Sequence, residues 1–132
     1  MAHPGHSVIS KSLAEEMRGW RHDLHRHPEF GFEERRTAKL VAEALSSFGL
    51  EVHAGIGQTG VVGVLQRGRS NRAIGLRADM DCLQIQEENT FEHRSLHAGK
   101  MHACGHDVHT TVVLAICETL ESVLASSYGP LG

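Results

Sequence analysis

The stretch Leu50-Glu51-Val52-His53-Ala54-Gly55-Ile56-Gly57-Gln58-Thr59-Gly60-Val61-Val62-Gly63-Val64-Leu65 is where the chain changes its period. Leu50 to His53 predicts a short strand, Gly55 to Gln58 a turn, and Gly60 to Leu65 a second strand. Upstream the spacing is helical. Val8, Leu13, Met17, Trp20 and Leu24 recur three to five apart, which predicts a helix from Ser7 to about His27. Pro28 ends it, because proline disfavours the α conformation in the residue before it. Pro28 to Phe32 reads as a turn. A second helix is expected from about Glu33 to Phe48, with Ala38, Val41, Leu45 and Phe48 on one face and Gly49 as its stop. Downstream, Arg67 to Asn71 reads as a turn and Ala73 to Ala78 as a third, nearly all-apolar strand, as expected where both faces are covered. Residues 82–103 form a long irregular stretch, which in a compact domain is usually functional or mobile. A last helix is expected from about Asp107 to Leu124. Two helices, about three strands and a helix predict a layered α/β/α arrangement in one domain, residues 1–132. Three strands make a thin sheet whose open edge invites a homo-oligomer.

The totals fit a soluble globular chain. Of 132 residues, 40% are hydrophobic and 22% charged, and the net charge is −3 with histidine neutral. That balance gives no electrostatic case for nucleic acid or an anionic membrane. No apolar run approaching the roughly 20 residues of a membrane span is read, nor a signal peptide. Three cysteines without framework spacing point to thiols and a reducing, cytoplasmic setting. The eleven histidines should make charge depend on pH near neutrality.

The densest chemistry lies in Lys100-Met101-His102-Ala103-Cys104-Gly105-His106-Asp107-Val108-His109, on a turn entering the last helix. Gly105 allows a sharp turn, so Cys104 and His106 can face one point. Thiolate and imidazole together suit zinc or another late first-row divalent ion. The helix N-terminus would favour the thiolate. His102, Asp107 and His109 are further candidates. A catalytic zinc takes about three protein ligands and a structural one about four. The alternative is a small buried cysteine beside histidines that cap the helix. Asp79 and Asp81 end the third predicted strand, where open α/β sheets place ligands. Glu87 and Glu88 suit a general base by type, but a solvated loop is the preferred reading. His22, His25 and His27 are expected to interact with the negative end of the first helix. Cys82 and Cys117 lack nearby partners, and Cys117 reads as packing.

Four blocks in order resemble the metal-dependent amidohydrolase, aminoacylase and carboxypeptidase family, of hippurate hydrolase and indoleacetyl-amino-acid hydrolase type. They are Trp20 to Glu34, Thr59 to Gly63, Leu76 to Asp81 and Gly99 to Asp107. The resemblance implies hydrolysis of the amide bond of N-acyl amino acids at a site with two divalent ions, zinc or manganese. It implies Cys104 and His106 as metal ligands and Asp79 as an aspartate beside the metal centre. It also implies that this chain is the N-terminal portion of a zinc-peptidase-like catalytic domain. The general-base glutamate, further ligands and a dimerisation domain are then expected beyond Gly132, with the site here empty or half-occupied and the chain inactive alone. Cys82, Gln84 and Val108 depart from the residues common in similar proteins. A different reading is a small structural domain with a complete site of Cys104, His106, His102 and His109.

Overall fold

The structure, a computed structural model, describes residues 9–128. Its elements are α1 (Lys11–Arg26), α2 (Arg35–Ser47), β1 (Glu51–Ile56), β2 (Gly60–Val64) and α3 (His106–Tyr128). α1 starts where Ser10 caps it: the Ser10 hydroxyl accepts from the Leu13 amide at 3.1 Å. The expected start at Ser7 and the stripe residue Val8 lie outside the described residues. Leu13 and Leu24 are buried as the stripe requires.

α2 begins differently. Its first turn is held from outside by Glu29, in the turn after α1. One carboxylate oxygen accepts from the Thr37 amide and hydroxyl, both at 2.7 Å, and the other from the Arg36 amide at 3.0 Å. A carboxylate on a helix's free amides satisfies donors and faces the positive end of the dipole. Glu29→Ala should therefore cost about 1–2 kcal/mol. Equilibrium denaturation checks this, and a loss within error of zero would show that the contact carries no stability.

β1 and β2 form an antiparallel hairpin, with Glu51 opposite Val64, Val52 opposite Gly63 and His53 opposite Val62. An irregularity falls between Ala54 and Ile56. α2 packs on one face of the hairpin and also meets α3, while α1 packs on α3. The core gathers Val41, Leu45, Leu50 and Leu114, with Trp20, Phe48, Val52, Val61 and Met80 partly buried around it. Gly63 lets α2 come this close: a Cβ there would lie 3.0 Å from a Leu45 methyl and 3.1 Å from a Leu50 methyl. Asp23 and Arg36 form a double ion pair at 2.8 and 2.9 Å between α1 and α2, and it holds the Asp23 carboxyl below its usual range.

The α/β class, both early helices, the hairpin and the last helix stand as expected. The third strand does not. Residues 73–78 have no strand structure, and Ile74 is 92% exposed. A strand needs a neighbour to take its backbone hydrogen bonds, and among the described residues none lies beside it. Among the described residues no helix covers the other face of the hairpin, where Val62 and Val64 are exposed. The long stretch 82–103 is irregular as expected, pinned by one bridge between Leu83 and Met101.

α3 corrects one further expectation. Residues His106–Ser127 have a mean hydropathy of 1.4 and are long and apolar enough, by length and composition, to cross a membrane. In this fold one face of that helix enters the core through Leu114 and Ala115.

Candidate metal centre

The turn before α3 is built by hydrogen bonds from the Gly105 amide to the His102 carbonyl and from the His109 and Val108 amides to the Gly105 carbonyl. Gly105 sits at φ +79°, a left-handed conformation that other residues adopt only with strain. The glycine between the two expected ligands is thus required, as the sequence suggested. Cys104 is an exposed free thiol, and His106 is the first residue of α3.

His106 carries the clearest geometric sign. Its Nδ1 lies 2.9 Å from the Asp81 carbonyl oxygen and 3.0 Å from the Asp81 carboxylate. Both partners only accept, so Nδ1 carries the proton and donates. In the neutral tautomer with that proton, Nε2 holds the lone pair. Metal-ligating histidines are oriented in this way, through their second ring nitrogen. A thiol at Cys104 and a lone pair at His106 Nε2 are a donor set that fits a late divalent ion.

The other candidates separate. Asp79 does not touch His106; its carboxylate meets exposed Arg77 at 3.1 Å, and its carbonyl accepts from Thr110 at 3.1 Å. His109 is exposed, its ring 5.8 Å from that of His106. His102 is buried, and burial pushes its pKa below the ordinary 6.5, which keeps the ring neutral. Asp107 also turns inward, away from any ligand role. Among the described residues no group of three or more His, Cys, Asp or Glu side chains is placed to hold a metal ion. The expected complete site of Cys104, His102, His106 and His109 is therefore not formed, because buried His102 and exposed Cys104 occupy different environments.

Behind the turn lies a network that the sequence reading missed. His25 does not serve the end of α1. Its Nδ1 meets Asp107 at 2.8 Å and its Nε2 meets Glu87 at 2.9 Å. Both side-chain carboxylates are only 2% exposed and the ring 5%. A ring that donates at both nitrogens to carboxylates is an imidazolium. The Asp107 hydrogen bond, opposed by burial and helped by Glu87, raises the His25 pKa above the ordinary value. Glu87, expected in solvent, is buried, and it also accepts from Asn89 and the Ser95 amide. Burial alone would raise its pKa, but these donors and His25 bring it below the ordinary value. Asp107 behaves likewise: burial is outweighed by His25 and neighbouring donors. Arg21 adds a second cation 3.6 Å from Asp107. Of His22, His25 and the C-cap residue His27, only His27 meets the end of α1, with Nδ1 2.8 Å from the Asp23 carbonyl. Cys117 packs beside the core as expected, and Cys82 is buried, which raises its thiol pKa.

The family described as Peptidase family M20/M25/M40 matches residues 75–132. Hippurate hydrolase of Campylobacter jejuni is 54% identical over 102 residues, which are 77% of this chain and 27% of that protein. N-acyl-L-amino acid amidohydrolase of Geobacillus stearothermophilus is 46% identical over 108 residues, 79% of this chain and 29% of that protein. Among solved structures, the YXEP protein of Bacillus subtilis, a dinuclear metal binding peptidase from the M20 family, superposes with a TM-score of 0.83 at 33% identity. That match covers 88% of this chain and 33% of the other. The chain thus spans between a quarter and a third of the length of these relatives. In fold and in sequence, then, the chain is similar to the corresponding part of proteins of the peptidase family M20/M25/M40, whose model it matches from residue 75 onward.

Proposed function

We propose that this chain contributes to a metal-dependent hydrolase that cleaves the amide bond of N-acyl amino acids, with Cys104 and His106 as its ligands to a divalent metal centre. The observation that carries this reading is the His106 ring, whose Nδ1 is held by Asp81 so that Nε2 is free to ligate. The relatives named hippurate hydrolase and N-acyl-L-amino acid amidohydrolase support the substrate class. The dinuclear character of the structural neighbour supports a pair of divalent ions, zinc or manganese, and of the two the thiolate and imidazole donors favour zinc. When bound, such ions polarise a carbonyl oxygen and activate water near neutral pH.

The chain's own residues then have definite tasks. Asp81 fixes the tautomer and angle of His106. Cys104 must lose its proton to ligate, so metal uptake should release a proton and weaken as pH falls. Asp79 stays a proposed neighbour of the centre through its backbone tie to Thr110. Two ligands are fewer than the roughly three of a catalytic zinc, so the 132-residue chain alone should bind metal weakly and hydrolyse hippurate little. Its free thiols support a reducing, cytoplasmic setting.

Cobalt(II) titration tests the reading, because a cysteine thiolate on cobalt gives an absorbance that neither component shows alone. Cys104→Ser and His106→Ala should each weaken binding at least tenfold, whereas His109→Ala should not. Equal cobalt binding by Cys104→Ser and the unaltered chain would overturn it.

A further inference from the structure

We propose that His25 is a positioning residue: clasped between Glu87 and Asp107, it sets the orientation in which the Cys104–His106 turn presents its two donors. This rests on the reading of Cys104 and His106 as metal ligands and deepens it.

The argument is one of connectivity. The His106 ring is held by Asp81, which stands at the start of the long stretch 82–103. That stretch carries Glu87, and Glu87 accepts from His25 Nε2. His25 Nδ1 donates to Asp107, the residue that directly follows His106. The contacts therefore close into a ring: His106, Asp81, the stretch to Glu87, His25, Asp107 and back to His106. Both supports of the candidate ligand, the start of the loop and the N-terminus of α3, are tied to the same imidazole on α1. The backbone adds ties of its own, from the Leu96 amide to the Arg26 carbonyl at 2.9 Å and from the Cys82 amide to the Glu29 carbonyl at 2.8 Å, and Arg21 lies 3.6 Å from Asp107, but His25 is the side chain that meets both supports at once.

The surroundings make the clasp stiff. All three side chains are almost wholly buried. Phe91 and His93 stack at 4.1 Å and lie 5.8 and 5.9 Å from the His25 ring, and His22 stacks on His93 at 3.8 Å. This roof keeps water off the charged bonds, which strengthens them. His22 and His93 both have pKa values lowered, first by burial and then by nearby cations, so neutral rings form the stack. An imidazolium donating at both nitrogens to fixed carboxylates has one orientation. Glutamine, of similar reach, can donate to one carboxylate but presents an oxygen to the other. Loss of the partners that orient a ligating histidine typically weakens metal binding 10–100-fold.

The test is cobalt(II) titration of the full chain, followed by thiolate-to-cobalt absorbance at a temperature where circular dichroism shows each variant folded. His25→Gln should weaken cobalt binding about tenfold and alter the absorbance. Glu87→Gln keeps an oxygen acceptor for His25 and should recover most of the affinity, whereas Glu87→Ala should not. A lowered melting temperature with unchanged cobalt affinity in His25→Gln would show a purely structural role and overturn the proposal. If His25→Gln does not fold, Glu87→Ala against Glu87→Gln decides, and equal affinity of the two overturns it. Cys104→Ser run in parallel separates the readings. If it loses cobalt and His25→Gln does not, only the positioning role fails. If neither loses cobalt, the metal site fails and this role with it.

Discussion

His25→Ala is expected to lower the unfolding free energy by about 3–5 kcal/mol, the usual cost of removing one partner from a buried ion pair. The substitution leaves two carboxylates, each 2% exposed, facing the space where a cation stood. Arg21 near Asp107 and the donors Asn89 and Ser95 on Glu87 offset part of the cost, which places the value toward the lower end of the range. Urea denaturation reads the effect, and a loss under about 1 kcal/mol would mean that the network holds little.

The same network gives stability a defined pH response. His25 is raised in the fold, so its contribution is complete below the ordinary 6.5 and is lost as pH rises through its raised value. Glu87 and Asp107 are lowered, so theirs is complete above the ordinary 4.5 and 3.8 and is lost as pH falls through their lowered values. The clasp is therefore whole between 4.5 and 6.5. His102 acts separately: buried and neutral, with a lowered pKa, it favours folding above 6.5 and loses that contribution as pH falls through its folded value. Maximum stability should fall near pH 6.5, and His25→Ala should flatten the alkaline side of the profile.

Leu114→Ala should cost about 2–5 kcal/mol. Leu114 is 1% exposed and is the contribution of α3 to the core of Val41, Leu45 and Leu50. Truncation removes the side chain that joins α3 to α2 and leaves a cavity that the neighbours fill only in part. Leu120, on the same helix but 44% exposed, is the control, and Leu120→Ala should change stability by less than about 0.5 kcal/mol. Equal costs at the two positions would show that the faces of α3 are wrongly assigned.

The helices and hairpin were legible because their signals are local. Apolar spacing marks α1 and α2, and the valines of Gly60 to Leu65 mark a strand. Ala73 to Ala78 has the composition of a buried strand, yet composition cannot supply the neighbour that a strand requires. The turn at Cys104-Gly105-His106 was legible because a glycine between two donor residues is a short-range pattern. The support behind it was not. His25 lies 62 residues from Glu87 and 82 from Asp107, and nothing within a local window links them. One signal was present: His25 follows Leu24 on the inward side of α1, and an inward histidine needs partners. Asp81, not Asp79, meets His106, a choice between alternate residues that depends on how the backbone leaves Met80.

The left-handed torsion at Gly105 has a further consequence. As the proposed ligands, a cysteine and a histidine separated by one residue would share one chelate, whose bite depends on the backbone of the residue between them. Here that setting is one dihedral of +79°, a value at which a side chain would add about 1–2 kcal/mol of strain. The span between sulfur and imidazole is thus written into the main chain before any ion arrives.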